Sequence, residues 1–133
     1  MIIGCPVENK PGETRVAWTK VLANSGHQVL IQKGAGKASG FLDEDYAAAG
    51  ASLVDSLEEI NERAEFVVKV KEFQESEYKL PKKDQIIMTW FHLAEDVNHE
   101  MTKALLDTKA IAIGMELIVL PDGTRPTIKP MSE

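Results

Sequence analysis

The sequence contains a single cysteine, an excess of acidic over basic residues and no long apolar run. Cys5 alone cannot form an internal disulfide, so we expect a reducing, cytoplasmic setting. The net charge of −6 argues against a nucleic-acid-binding surface, which needs a basic stripe to displace phosphate counterions. The apolar runs have strand length, and the first residues lack the basic start and apolar segment of a secretory signal. We therefore expect neither a membrane span nor export.

Several common site signatures are missing too. His27, His99 and Cys5 are dispersed without metal-ligand spacing, so no metal is expected. There is no G-x-S-x-G elbow of the kind that carries a hydrolase nucleophile. The glycine-rich stretch 34–40 fits neither G-x-G-x-x-G nor G-x-x-x-x-G-K-[ST], so it predicts a structural turn rather than a nucleotide site.

What is present is the composition and pattern of one soluble α/β domain. The chain has 133 residues, of which 44% are hydrophobic and 27% charged, enough for one core spanning residues 1–133. Short apolar runs alternate with helical patterns, which predicts an open, mostly parallel, Rossmann-like (flavodoxin-like) sheet with flanking helices. The predicted strands cover residues 2–5, 27–32, 51–54, 66–70, 86–90 and 110–113.

Several sequence signals predict helices and a terminal turn. Ser56 and Glu59 have the spacing of a capping box, and Asp43 is expected to cap a short helix ending near Gly50. Further helices are predicted over residues 16–25, as one turn within 74–80, and from Asp96 with an apolar stripe at Val97, Met101, Ala104 and Leu105. The turn signal at residues 121–123 predicts a C-terminal hairpin-like tail with strands over 116–120 and 124–128.

Three polar residues lie just after the carboxyl ends of predicted strands. Lys71 follows the strand 66–70, His92 follows the strand 86–90, and Arg15 lies in the connection after the first strand. Ligands of open α/β sheets bind at that carboxyl edge. An arginine fork can clamp a carboxylate, a lysine can hold the other end of an oxo acid, and a histidine can transfer a proton near neutral pH. Together they predict a site for a small anion undergoing proton transfer.

Each of these residues also has a simpler interpretation. Lys71 and Arg15 taken singly could be ordinary solvated charges, and His92 between Phe91 and Leu93 could be a core histidine satisfied by backbone carbonyls. Lys69 shares a strand face with Lys71, and it could belong to the site or extend to solvent.

An ordered set of short motifs runs along the whole chain: MIIGCP at 1–6, ETRVA at 13–17, GH at 26–27, KGAG at 33–36, DEDY at 43–46, AAGA at 48–51, KVKE at 69–72, FHLA at 91–94 and PMSE at 130–133. This set resembles the amino-terminal domain of alanine dehydrogenases. The alpha subunit of nicotinamide nucleotide transhydrogenase shares the domain and is similar to a lesser degree around Lys71 and His92.

The resemblance implies a function and assigns residues to it. It implies reversible conversion of L-alanine, NAD and water to pyruvate, ammonia and NADH, with NAD held by a separate Rossmann domain. It implies that Arg15 and Lys71 bind the substrate, that His92 is the catalytic acid or base, and that Met131 and Ser132 approach the substrate.

The chain itself carries no dinucleotide fingerprint, so we expect the NAD-binding domain to be absent from it and the isolated chain to be inactive. We expect a small-molecule substrate, a separate nucleotide-binding domain as partner and self-association into a homo-oligomer. The alternatives are a stand-alone binding or regulatory module for small oxo or amino acids, a transhydrogenase-like domain, and a degenerate chain without activity.

Overall fold

The protein is built on a parallel sheet. The computed structural model describes residues 1–17 and 26–128, and it shows a six-stranded, all-parallel sheet in the order β3-β2-β1-β4-β5-β6. The predicted Rossmann-like α/β class is therefore confirmed. Its strands are β1 (Ile2–Cys5), β2 (Gln28–Gln32), β3 (Ser52–Val54), β4 (Phe66–Lys71), β5 (Ile86–Trp90) and β6 (Ile111–Gly114). Because β1 has β2 on one side and β4 on the other, the strand order reverses beside β1, at the carboxyl edge where such sheets bind ligands.

Apolar clusters cover both faces of the sheet, as expected for parallel strands. The first cluster includes Leu30 and Val67 and extends to α2 (Leu57–Arg63) and α3 (His99–Thr108). The second cluster joins Val29 and Ile31 to Tyr46 of α1 (Asp43–Ala48). Helix α2 lies so close to β1 that a Cβ atom on Gly4 would fall 2.6 Å from Ile60 Cγ2. Glycine at that position lets the helix pack directly on the strand.

The helix starts agree with the sequence in one case and differ in another. Ser56 Oγ accepts a hydrogen bond from the Glu59 amide at 3.1 Å, so the predicted cap of α2 is confirmed, although the Glu59 carboxylate accepts from the amide of Asp55 rather than of Ser56. The prediction that Asp43 caps α1 is wrong. Asp43 is the first helical residue, and its carboxylate instead accepts a hydrogen bond from the Gly34 amide at 2.8 Å.

Helix α3 begins later than its sequence pattern predicts. Asp96–Asn98 form a 3-10 turn and the α-helix starts at His99. Val97, predicted in the apolar stripe, is 82% exposed, whereas Met101 and Leu105 are buried. The Asn98 side chain donates to the carbonyl oxygens of Phe91 and His92, which ties the turn to the end of β5 and leaves Val97 outside the core.

The predicted tail is present only as a turn. Leu120 N–H donates to Thr124 O at 2.8 Å, but Met115–Leu117 form a 3-10 turn and no strand occurs over 116–128. The single turn predicted within 74–80 is a 3-10 turn, Glu75–Glu77. The helix predicted over 16–25 falls mostly outside the described residues.

Within the described residues, the longest α-helix has ten residues, and none combines the length and apolarity needed to cross a membrane.

Candidate functional site

The loop that follows β1 is fastened to the carboxyl end of β4 through buried polar contacts. The Glu8 carboxylate accepts hydrogen bonds from the backbone amides of Val70 at 2.5 Å and Lys71 at 3.2 Å. Burial raises the pKa of Glu8, against the opposing charge of Lys69 and these two amide donors. Lys10, two residues further on, forms an ion pair with Glu72. This anchoring places the loop directly over the ends of β1 and β4.

Lys69 is neither a solvent-exposed lysine nor an unpaired group at the site. Its ammonium lies 2.5 Å from a carboxylate oxygen of Glu77, and both side chains are completely buried. The ammonium also stands 4.8 Å from the centre of the Phe73 ring. The Glu77 carboxylate also accepts hydrogen bonds from the backbone amide of Gln74 at 2.6 Å and from the Asn9 side chain at 3.3 Å. Lys69 is thus part of the structural support beneath the site.

Arg15 is held by a neighbouring carboxylate. Its Nε donates to Glu13 Oε1 at 2.9 Å and its Nη2 donates to Glu13 Oε2 at 2.7 Å, which is a two-point contact. The pKa of Glu13 is lowered to about 2, mainly by the side-chain hydrogen bonds with Arg15, and the charge of Lys71 contributes to this shift. The Arg15 side chain remains 46% exposed. The guanidinium is oriented, but a substrate carboxylate would have to share it with Glu13.

Lys71 ends β4 in a half-buried position. A register shift between Val68 and Lys71 breaks the regular pairing with β5. The Lys71 carbonyl accepts from the Thr89 hydroxyl at 2.8 Å. Within the described part of the chain its ammonium makes no hydrogen bond or ion pair, although its charge contributes to lowering the pKa of both Glu13 and Glu72.

His92 lies just past β5 with an unusual backbone. Its φ of 50° is left-handed, which is costly for a residue with a side chain and is kept only where the surroundings enforce it. Its N–H donates to Glu116 Oε1 at 2.8 Å, and its carbonyl accepts from Asn98 Nδ2 at 3.0 Å. The half-buried imidazole has Nδ1 3.8 Å from Glu72 Oε2. His92 is therefore not an apolar core histidine, and its ring faces a carboxylate.

A cleft of about 240 Å³ opens at this edge of the sheet. Its walls are mainly apolar, and they include Arg15 and also Lys69, whose place the sequence left open. Lys71 and His92 lie beside the cleft rather than in its walls. The wall residue Trp90 has a buried Nε1 that finds no hydrogen-bond acceptor among the described residues.

The structure brings the predicted residues together through shared acids. Glu13 contacts Arg15, and Glu72 faces His92. The charge of Lys71 contributes to lowering the pKa of both acids. Burial favours the neutral form of Glu72, but the hydrogen bond from Lys10 and the nearby charges keep its pKa below the ordinary value. Met131 and Ser132, also predicted at the site, lie outside the described residues.

Sequence reasoning missed these acids. Glu13 stands two residues before Arg15 and Glu72 directly follows Lys71, so an acid beside each predicted cation was visible in the sequence. Glu116 and Lys10 left no such signal, because each is far along the chain from the residue it contacts, His92 and Glu72 respectively.

Neither a metal nor a dinucleotide fits the described residues. No group of three or more His, Cys, Asp or Glu side chains in residues 1–17 and 26–128 is arranged to hold a metal ion. In a nucleotide-binding sheet the loop after the first strand cradles a pyrophosphate, whereas here Glu8 occupies the amides at that edge. The glycine-rich stretch forms the predicted structural turn, in which a Cβ atom on Gly36 would meet Tyr46 Oη at 2.6 Å.

Sequence comparison connects the chain to one family. Residues 4–133 match the family described as alanine dehydrogenase/PNT, N-terminal domain. Alanine dehydrogenase from Methanococcus maripaludis is 44% identical over 137 residues, covering 100% of this chain and 36% of that protein. Alanine dehydrogenase from Staphylococcus epidermidis is 43% identical with the same coverage. The chain thus spans about a third (36%) of the length of the curated relatives it matches.

Solved structures give the same result. A structure of L-alanine dehydrogenase superposes with a TM-score of 0.92 and 41% identity, covering 99% of this chain and 37% of that one. A transhydrogenase from Sinorhizobium meliloti gives a TM-score of 0.79 over 89% of this chain and 36% of its own length. At 24% identity the second match shows a shared fold only.

Proposed function

Because the chain belongs to the alanine dehydrogenase/PNT N-terminal domain family, we propose that it is the substrate-binding part of an NAD-dependent alanine dehydrogenase-like oxidoreductase. The substrate is L-alanine in one direction and pyruvate in the other. The observation that carries the proposal is the arrangement at the carboxyl edge of Arg15, of a Lys71 ammonium that has no ion pair within residues 1–17 and 26–128, and of a half-buried His92.

The two cations suit the carboxylate and carbonyl ends of an oxo acid. Arg15 presents a fork that matches a carboxylate, and a substrate carboxylate would compete with Glu13 for that fork. Lys71 supplies a compact charge without an acidic partner among the described residues. Met131 and Ser132 are proposed as further substrate contacts on the family resemblance alone.

His92 is proposed to carry the proton. During deamination a base takes a proton as the amino-bearing carbon becomes a carbonyl, and an acid returns one in the reverse direction. An imidazole changes protonation near neutral pH and suits both roles. NAD would supply the hydride acceptor from a separate nucleotide-binding domain, since the described residues do not fit it. The isolated chain is therefore proposed to be inactive as a dehydrogenase.

Two further parts of the proposal concern setting and assembly. A cytoplasmic location is proposed because the chain has one cysteine, Cys5, which cannot form a disulfide within the chain. A homo-oligomer is proposed because large apolar side chains of β6 and the tail are exposed, among them Ile111, Leu117 and Val119. A molar mass equal to one chain by light scattering would contradict the second point.

The binding step is tested by titrating the chain with pyruvate in a calorimeter. Lys71→Ala is expected to weaken binding about 10- to 100-fold, because a hydrogen bond to a charged group contributes about 1.5–3 kcal/mol. Lys83→Ala is the matched control, because Lys83 is an exposed lysine just before β5, at the opposite edge of the sheet. Equal affinity of both variants, or no heat with the unaltered chain, would rule out the proposed site.

Turnover distinguishes an enzyme part from a stand-alone binding module. Absorbance of NADH is followed with alanine and NAD, first for the chain alone and then after adding a separately expressed nucleotide-binding domain from a relative. We expect no turnover alone and measurable turnover in the mixture, lost again with His92→Asn. Pyruvate binding without turnover in the mixture would favour the stand-alone module, and turnover by the chain alone would contradict its proposed inactivity.

A further inference from the structure

The two oxygens of Glu72 have different surroundings. Oε1 forms an ion pair with the Lys10 ammonium. Oε2 is buried and has no hydrogen-bond partner among the described residues, and His92 Nδ1 lies 3.8 Å away. Leaving a buried carboxylate oxygen without a donor is unfavourable, so a donor that can reach it is favoured. Nδ1 of His92 is positioned to be that donor.

The backbone of His92 is fixed on both sides, which leaves the ring as the part that can adjust. Its N–H is held by Glu116 Oε1 at 2.8 Å, and its carbonyl accepts from Asn98 Nδ2 and from the Glu95 amide, each at 3.0 Å. With the main chain constrained in this way, rotation of the side chain is the movement that can bring Nδ1 closer to Glu72 Oε2 than 3.8 Å.

We propose that Glu72 is a positioning residue for His92, accepting a hydrogen bond from Nδ1–H so that the neutral ring presents the lone pair of Nε2 for proton transfer. The proposal rests on the proposed function only for the proton transfer itself. In a neutral imidazole one nitrogen is the donor and the other the acceptor, and the hydrogen bond made by the first decides which. An ionised carboxylate only accepts, so it selects the Nδ1–H form.

Lys10 determines which carboxylate oxygen of Glu72 is available to His92. Its ammonium only donates, and by taking Oε1 it leaves Oε2 for His92. The other charged groups at this point are Lys71, whose charge reaches Glu72, and Glu116, which holds the His92 amide. After His92 accepts a proton at Nε2, Nδ1–H of the imidazolium still faces Glu72 Oε2.

The test is the tautomer of His92 in the full chain, without ligand. Long-range ¹H–¹⁵N correlation spectra are recorded at about pH 8.5, where an ordinary imidazole is neutral. The unaltered chain is expected to show Nδ1–H at His92 and the solvent-like Nε2–H form at the exposed His27 and His99, with the His92 signal identified by its loss in His92→Asn. A predominant Nε2–H form at His92 overturns the proposal before any further variant is made.

Glu72→Gln is then expected to reverse the tautomer of His92 rather than merely to remove a hydrogen bond. Lys10 retains the amide oxygen, so the amide NH₂ faces His92 and Nδ1 must become the acceptor, which shifts the ring to Nε2–H. Glu95→Gln, the same substitution on an exposed acid three residues from His92, should leave the tautomer unchanged. An unchanged tautomer in Glu72→Gln overturns the proposal. Because no substrate is present, failed pyruvate binding with a Glu72-dependent tautomer would count only against the proposed function.

Discussion

Removing the charge of Lys69 should be among the most damaging single substitutions in this protein. The ammonium of Lys69 and the carboxylate of Glu77 are 2.5 Å apart with side chains at 0% exposure. Lys69 also lowers the pKa of the buried Glu8, so its charge compensates two acids. Lys69→Met would leave both acids without it. Glu77→Gln would leave Lys69 with Glu8 nearby, and we therefore expect Lys69→Met to be the more costly change.

The magnitude follows from the burial of the pair. Breaking a buried ion pair by removing one partner costs about 3–5 kcal/mol, out of a total stability of about 5–15 kcal/mol for a domain. With a denaturant dependence of about 2 kcal/mol per molar urea, the unfolding midpoint should fall by about 1.5–2.5 M. The double variant Lys69→Met/Glu77→Gln should recover part of this loss, because neither charge is then left buried alone.

Urea unfolding followed by circular dichroism measures these changes on the full chain. The surface pair Lys33–Asp55 is the matched control, since it has the same 2.5 Å separation but side chains that are 53% and 79% exposed. Lys33→Met should leave the midpoint almost unchanged, because exposed pairs contribute little. Equal shifts for the buried and exposed pairs, or a double variant less stable than Lys69→Met, would refute the reasoning.

Three other substitutions test separate parts of the structure. Burial raises the pKa of Glu8 above the ordinary 4.5, so the unaltered fold loses stability as pH rises through that raised pKa, whereas a glutamine does not titrate. The destabilisation by Glu8→Gln, measured with urea, should therefore be larger at about pH 4 than at about pH 7. The opposite trend would contradict the raised pKa. Glu13→Gln should strengthen pyruvate binding several-fold by calorimetry, because Glu13 competes for Arg15, and weaker binding would show that it serves instead as a support. Gly36→Ala should lower thermal stability by about 1–3 kcal/mol, since its Cβ would lie 2.6 Å from Tyr46 Oη, and an unchanged melting temperature would contradict that contact.

Much of the fold could be predicted because apolar runs of strand length mark buried parallel strands directly. The bounds of β1 and β5 agree with the sequence prediction to the residue, and β4 extends one residue further because Lys71 pairs with Trp90. The start of α3 could not be predicted in this way. Its position is set by Asn98 reaching back to the end of β5, a contact between side chain and strand that periodicity does not contain.

Part of the site could likewise be predicted from the sequence and part of it could not. Strand ends place Lys71 and His92 at one edge, because consecutive parallel strands β4 and β5 are neighbours. Pairing within the site could not be predicted, since the sequence did not show whether Lys69 meets solvent, substrate or an acid. Its partner Glu77 lies in a 3-10 turn that folds back beneath the strand, and the contact is made in the interior.

The pairing of charged side chains at the carboxyl edge bears on the charge of the proposed ligand. Three of its cations have an acid beside them in the described structure, with Lys10 on Glu72, Arg15 on Glu13 and Lys69 on Glu77. Two further acids there, Glu8 and Glu116, accept hydrogen bonds from backbone amides rather than from side-chain cations. The fourth cation, Lys71, is thus left without an acidic partner among the described residues. A small carboxylate would complete this pattern, whereas a cation would add to charges that Lys71 and Arg15 already present.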